Sequence, residues 1–162
     1  MPSREVNQIE ILVRRIALIR FSMNEKVEKE SGTLMDFNIK QNTNFNVSNE
    51  SAKFEITFSY VYQESQEKPI EITVLTEFQL VGFGGVQNLD ENSSLTIARI
   101  LRNTILACLA LSLTHTRTLL YQCLANSIFM NKIPLQMFNI KAIGDPLYPP
   151  QEEYKLDDKL EN

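Results

Sequence analysis

The side chains able to do acid–base, nucleophilic or metal chemistry in this chain are few, and they do not cluster. There is one histidine, His115, and there are two cysteines, Cys108 and Cys123. A single histidine excludes a His-rich metal site, and neither a CxxC nor an HExxH pattern occurs. If both cysteines lie on one continuous helix they stand about 22 Å apart along its axis, beyond the reach of a disulfide. They read as small buried hydrophobes. A small enzyme with an apolar ligand pocket would have to draw on Arg117, His115, Glu77 and Tyr121, which are scattered over separate elements. Arg117 is expected to pair with a carboxylate, inside the fold or across a subunit interface, in preference to binding a free anion. His115 is expected to be a satisfied structural histidine more than a pH sensor. Gly82-Phe83-Gly84-Gly85 lacks the GxGxxG spacing and has no βαβ unit around it, so it reads as a turn and not a nucleotide loop. Tyr60 and Tyr62 lack flanking Lys or Arg and read as packed aromatics, not base-stacking platforms.

The elements that carry these residues follow from composition and periodicity. The 162 residues suffice for one domain with a real core, and the 43% hydrophobic and 22% charged content is that of a globular chain. A net charge of -4 argues against nucleic acid as a partner, because phosphate binding needs basic patches. The N-terminus is polar and the apolar run behind it is broken by Arg14, Arg15 and Arg20, so no secretory signal is expected. Ile105 to Leu113 is the most apolar run and is far shorter than the about 20 residues a membrane span needs. The chain is therefore expected to be cytoplasmic.

Val6 to Met23 fits two periods at once. Ile9, Leu12, Val13, Ile16 and Ile19 mark a helical stripe, while Ile9, Ile11 and Val13 alternate as in a strand. From Phe37 to Val81 the pattern is β. Phe37 and Ile39, then Phe45 and Val47, alternate with polar residues. Phe54, Ile56, Phe58, Tyr60 and Tyr62 share one parity, and Ile70, Ile72, Val74, Phe78 and Leu80 form the next one-sided strand. Short turns between them predict an antiparallel meander. Beyond the N-cap candidates in Asp90 to Ser94, Leu95, Ala98, Leu101, Ile105, Leu109 and Leu113 recur at helical spacing, and about Thr116 to Phe129 continues it. A bend is expected near Thr114 to Thr116, where β-branched residues weaken the helix. Pro134 takes the chain out of helix. The expected fold class is α+β: an antiparallel sheet of about four strands packed by one long or bent helix. Residues 1–143 form the domain, and 144–162, with Pro146, Pro149, Pro150 and acidic residues, are expected to be an irregular tail.

Three stretches in this order resemble the SecB-type protein-export chaperones. Arg15-Ile16 is similar to the family's opening Gln-Arg-Ile segment. Leu75-Thr76-Glu77-Phe78-Gln79, followed shortly by Gly82, resembles its Leu-x-Glu-apolar-Gln. Thr116-Arg117, Leu120, Leu124, Phe129, Pro134 and Phe138-Asn139 follow its Ala-Arg, apolar helix, Phe, Pro and Asn-Phe pattern. The resemblance implies an ATP-independent, homotetrameric holdase without a cofactor that binds unfolded clients in apolar grooves. It implies handover to the SecA motor or, in some relatives, protection of an antitoxin. Client contacts would fall on Met35, Phe37, Ile39 and Phe83, and docking of SecA on Leu75 and Glu77. The family's acidic pair on the first strand is replaced by Arg20 and Asn24, and its second C-terminal helix is interrupted by Gly144, Pro146, Pro149 and Pro150. Small residues on the apolar helix, Ala107 and Ala110, with Arg117, are the expected subunit interface of a dimer or dimer of dimers. A ligand-binding protein with a sheet–helix pocket and a structural assembly protein are the competing classes.

Overall fold

The computed structural model describes residues 9–25, 37–63, 66–87, 94–130, 133 and 138–147. Four strands, β1 (Glu10–Met23), β2 (Phe37–Val47), β3 (Ser51–Tyr62) and β4 (Ile70–Val81), precede three helices, α1 (Phe83–Gln87), α2 (Ser94–Leu124) and α3 (Ile140–Leu147). The α+β class is as expected: a four-stranded antiparallel sheet under a long helix. β2, β3 and β4 form the meander. β1 departs from it by lying beside β4, so the spatial order is β1-β4-β3-β2, a Greek-key ordering with β1 and β2 at the edges.

The alternation read from the sequence sets the two faces. Phe54, Ile56 and Phe58 of β3 sit opposite Thr76, Val74 and Ile72 of β4, all buried beneath α2. Phe45, Thr43 and Gln41 of β2 continue the same face. Three rings lock its centre: Phe54 stacks on Phe45 at 5.7 Å between centroids and meets Phe78 edge-on at 6.1 Å. Thr76 interrupts this apolar face, fully buried, with its Oγ1 lacking a hydrogen-bond partner.

α2 runs unbroken for 31 residues, about 46 Å. Helical bonding continues through the Thr114 to Thr116 stretch where a bend is expected, and each hydroxyl there bonds back into the helix. Ser112 Oγ donates to the Cys108 carbonyl (2.8 Å), Thr114 Oγ1 to Ala110 (2.9 Å), Thr116 Oγ1 to Ser112 (2.8 Å) and Thr118 Oγ1 to Thr114 (2.9 Å). Such bonds satisfy the polar side chains at the i−4 carbonyl, a pattern that goes with helix bending. The helix stops at Leu124, short of the expected Phe129, where Asn126 takes a positive φ of 66°. By length and composition, Ile97–Leu124 could cross a membrane, which the shorter run Ile105 to Leu113 did not suggest. Here Ile105, Leu109, Leu113, Leu120 and Leu124 are buried in the core instead. Cys108 and Cys123 are free thiols on this helix, and burial pushes the Cys108 thiol up to about 12.

The chain expected to be irregular from residue 144 is helical to Leu147. Asn139 caps α3, its Oδ1 accepting from the Ala142 amide at 3.1 Å. Residues 148–162, and with them Pro149 and Pro150, lie outside the described residues, as does Pro134.

Two predictions rest on this core. Phe54→Ala removes the ring that joins Phe45 to Phe78 and is expected to cost about 3–5 kcal/mol in urea unfolding, whereas Thr76→Val removes an unpartnered hydroxyl and is expected to be neutral or slightly stabilising. The second concerns His115, whose Nδ1 is buried without a hydrogen-bond partner and whose pKa burial lowers from 6.5. The unfolded chain then takes up a proton before the folded one, so this histidine's contribution to stability is lost as pH falls from about 6.5. Melting curves between pH 7.0 and 5.5 should fall with acid in the parent and fall less in His115→Gln. Equal slopes would remove His115 from the account.

Candidate binding surface

The functional geometry begins with an uneven cover on the sheet. α2 lies over β3 and β4, and its buried stripe accounts for their fully buried apolar residues. On β1 the pairing puts Val13 opposite Phe78, Ile16 opposite Thr76, Leu18 opposite Val74 and Met23 opposite Ile70, so all four lie on the helix-facing side. Their β4 neighbours are at 0–1% exposure, yet Val13, Ile16, Leu18 and Met23 stand at 45%, 43%, 45% and 37%. Ile19, at the second register shift, and Leu12, opposite Gln79 on the other face, are exposed too. The result is an apolar shelf along a 14-residue edge strand, whose outer backbone groups have no strand beside them among the described residues. Register shifts between Val13 and Arg15 and between Leu18 and Arg20 mark two bulges.

The opposite face of the sheet, apart from Leu12, Leu75 and Val81, is mostly polar, and several of its side chains pair with one another. Thr57 and Thr73 hydroxyls are 2.9 Å apart across β3 and β4. Ser59 Oγ donates to Glu71 Oε2 at 2.9 Å, Arg20 lies 3.4 Å from Glu71 Oε1 and Lys68 lies 3.5 Å from Glu71 Oε2. The Ser59 hydrogen bond, followed by Lys68 and Arg20, holds the Glu71 carboxyl below the usual carboxylate range. Lys53 pairs with Glu77 at 3.1 Å. The first-strand arginine therefore neutralises an acid on this face instead of leaving one free. Leu75 and Glu77 both sit here, half-buried.

The other residues singled out in the sequence separate in space. Glu77 is on the outer face of the sheet, while His115, Arg117 and Tyr121 are half-buried on α2 at the opposite face. Burial, and after it repulsion from the Tyr121 phenolate charge, raise the Tyr60 pKa above its ordinary value. These four do not converge on one cavity. A cavity of about 410 Å³ at the end of the sheet is lined by Asn49, Glu50, Gln79 to Gly82, Gly84 and Gly85, none of them in that set. Ile39 lies on the helix-facing side of β2, half-buried against the core. Phe37 opens β2 opposite Tyr62, its side chain outside the described residues, and Met35 lies outside them altogether. Phe83 is expected at the surface of a glycine-rich turn but is 2% exposed. Gly82 at φ 86° reverses the chain, and α1 folds Phe83 back under the sheet end. On α2, Asn103, Ala107, Leu111, Thr114 and Thr118 form an exposed uncharged stripe, with Ala110 and Arg117 half-buried beside it.

Sequence reasoning missed the shelf itself. Ile16 and Leu18 were visible as apolar residues, and the signal that could have located them is the pair of bulge-spaced arginines, Arg15 and Arg20, two residues after Val13 and Leu18.

Comparison with known proteins returns no matching family model and no matching curated protein. Among solved structures, the chain is similar to the Mycobacterium tuberculosis SecB-like chaperone Rv1957, solved with a ChAD peptide from the Rv1956 HigA1 antitoxin. The TM-score is 0.36 at 10% identity, over 80% of this chain and 91% of that one. A protein of unknown function from Streptococcus agalactiae gives a TM-score of 0.32 at 13% identity, over 80% of this chain and 98% of the other.

Proposed function

We propose that the protein is an ATP-independent holdase that takes up unfolded polypeptide on apolar surface flanking α2. The observation that supports this reading is the β1 shelf: Val13, Ile16, Leu18 and Met23 are more than a third exposed on the face that elsewhere forms the core. Contiguous exposed apolar surface of this kind marks interaction sites. An extended segment can add to the open edge of β1 through its backbone and lay alternate side chains on the shelf, with little demand on its sequence. Met35, Phe37, Ile39 and Phe83 are proposed as further client contacts, of which Ile39 lies on the helix-facing side of β2. Phe83 can take part only if α1 moves. No cofactor is invoked, and the setting proposed is the cytoplasm.

Copies are proposed to associate through the uncharged stripe of α2, with Ala107 and Ala110 allowing close helix approach and Arg117 at its end, giving a dimer or dimer of dimers. The client class includes unexported chains and, by the same chemistry, an apolar segment of an antitoxin. Docking on Leu75 and Glu77 by a SecA-like motor has less support, because Lys53 and Arg20 already neutralise the acids of that face.

Purified protein without nucleotide is expected to suppress aggregation of a reduced, unfolded client at stoichiometric excess. Ile16→Glu with Leu18→Glu should retain the far-ultraviolet spectrum and native mass of the parent while losing most of that suppression. A fall in native mass instead would make the shelf a subunit contact and remove it as a client site. Ala107→Arg places a charge in the α2 stripe and is expected to reduce the oligomer to smaller species by native mass measurement. An unchanged mass would place the interface elsewhere.

A further inference from the structure

On the far side of α2 from the shelf, the gap between helix and sheet is also apolar, but it is filled. Phe45, Phe54 and Phe58 of β2 and β3 form its floor, and Ile105, Leu106 and Leu109 of α2 its wall. The chain itself occupies it. The Phe138 ring stacks on Phe58 at 5.0 Å between centroids, with the planes 16° apart. α3 then lays Ile140, Ile143, Gly144 and Leu147 along the trough, the i, i+3, i+4, i+7 pattern of a helix seated in a groove. Lys141, Ala142 and Pro146 face outward. Gly144 is buried because a Cβ there would collide with Leu106, so the helix backbone lies directly on α2.

α3 is poorly equipped to hold itself together. It has eight residues, with Gly144 and Pro146 inside it, and isolated helices below about 12–15 residues are marginal in water. Its order therefore depends on its seat. Besides apolar contact, one charged link ties it down: Arg102 of α2, 15% exposed, pairs with Asp145, which is 46% exposed. The arginine end is fixed in the core wall and the aspartate end is reachable by solvent.

We propose that α3, with Phe138, is a displaceable strap: it fills in cis the apolar trough that an incoming polypeptide segment would use, and the Arg102–Asp145 ion pair is its latch. This rests on the holdase reading for the identity of the competitor but not for the release of the strap. A client segment wins the trough by offering more apolar contact than an eight-residue helix, so unfolded chains displace it and folded surfaces do not.

The test uses the full chain. Asp145→Asn and Arg102→Gln cut the latch, the charge-reversed pair Arg102→Asp with Asp145→Arg restores it, and Phe138→Ala loosens the strap away from the ion pair. Hydrogen exchange is read at the Ala142 and Ile143 amides, which bond to Asn139 Oδ1 and the Asn139 carbonyl. Exchange there should rise at least about tenfold in the three loosening variants and return to within about threefold of the parent in the charge-reversed pair. Exchange in β3 and β4 should stay unchanged, which shows the domain remains folded. Binding of the dye bis-ANS should rise alongside, and the affinity for a reduced, unfolded client should rise several-fold. Unchanged exchange in both latch variants overturns the latch. Faster exchange without added dye binding overturns the strap, since the trough would not have opened. Faster exchange and added dye without tighter client binding overturns competition with a client and counts against the holdase reading, while supporting the release itself.

Discussion

One helix cannot cover four strands. Neighbouring strands lie about 4.8 Å apart, so the sheet is about 19 Å wide, while a helix with its side chains is about 10–12 Å across. The alternation in β3 and β4 makes one face of that sheet predominantly apolar, and α2 can seal only the middle of it. Everything else in the fold follows from the two uncovered margins. At the β2 margin the chain returns with Phe138 and α3 to fill the gap. At the β1 margin Val13, Ile16, Leu18 and Met23 stand in solvent. Apolar surface left by this mismatch is a property of the architecture, and what differs between the margins is whether the chain spends residues on covering it.

The opposite face of the sheet shows what the chain does where no cover is intended. Asn38, Lys40, Asn42, Asn44 and Asn46 share the outward parity of β2, and on β3 and β4 hydroxyls and carboxylates pair with each other or with lysine and arginine. Thr57 with Thr73, and Ser59 with Glu71, are cross-strand pairs that stabilise the sheet without asking for a partner. Against that background the shelf stands out by contrast: on the other face of the same sheet, β1 presents exposed aliphatic side chains. Polar residues were available to this sequence for exposed strand positions, and β1 does not use them on that side.

Much of this was legible in the residues, and the failures have physical causes. The single parity of Phe54 to Tyr60 and of Ile70 to Leu80 located β3 and β4 and their buried face, because unbroken strands keep a period of two. β1 read as either helix or strand because its two bulges spoil that period. The helix-facing residues Ile11, Val13, Ile16, Leu18, Phe21 and Met23 are spaced two and three apart, between the strand and helix periods. The Thr114 to Thr116 stretch read as a bend from propensity, and its hydroxyls are taken up locally by the i−4 carbonyls of a helix that continues through it. α3 was masked by Gly144 and Pro146, which oppose a free helix; the glycine is what lets α3 press onto Leu106. Burial of Phe83 could not be read from a glycine-rich turn, because it depends on the one positive φ at Gly82. Beyond the hint of Arg15 and Arg20, which apolar residues would remain exposed was not legible in the sequence, because it depends on where α2 lies over the sheet.

The two margins are not equivalent in what they demand of a partner. The β1 margin offers an open backbone edge as well as side chains, so it selects for extended chain. The bulges beside Arg15 and Arg20 twist and charge that edge, which is how sheet proteins limit indiscriminate pairing while leaving it usable. β2 is an edge strand as well, but its margin is already covered by α3, a segment that brings its own backbone pairing in helical form. A bound polypeptide long enough to reach both sides of α2 would therefore be held by backbone pairing at one side and by apolar side chains at the other. Neither requirement fixes its sequence, and both exclude a compactly folded protein, whose backbone is already paired and whose apolar side chains are already buried. Discrimination between unfolded and folded chains then needs no nucleotide-driven step, because it is set by what the partner has left unsatisfied.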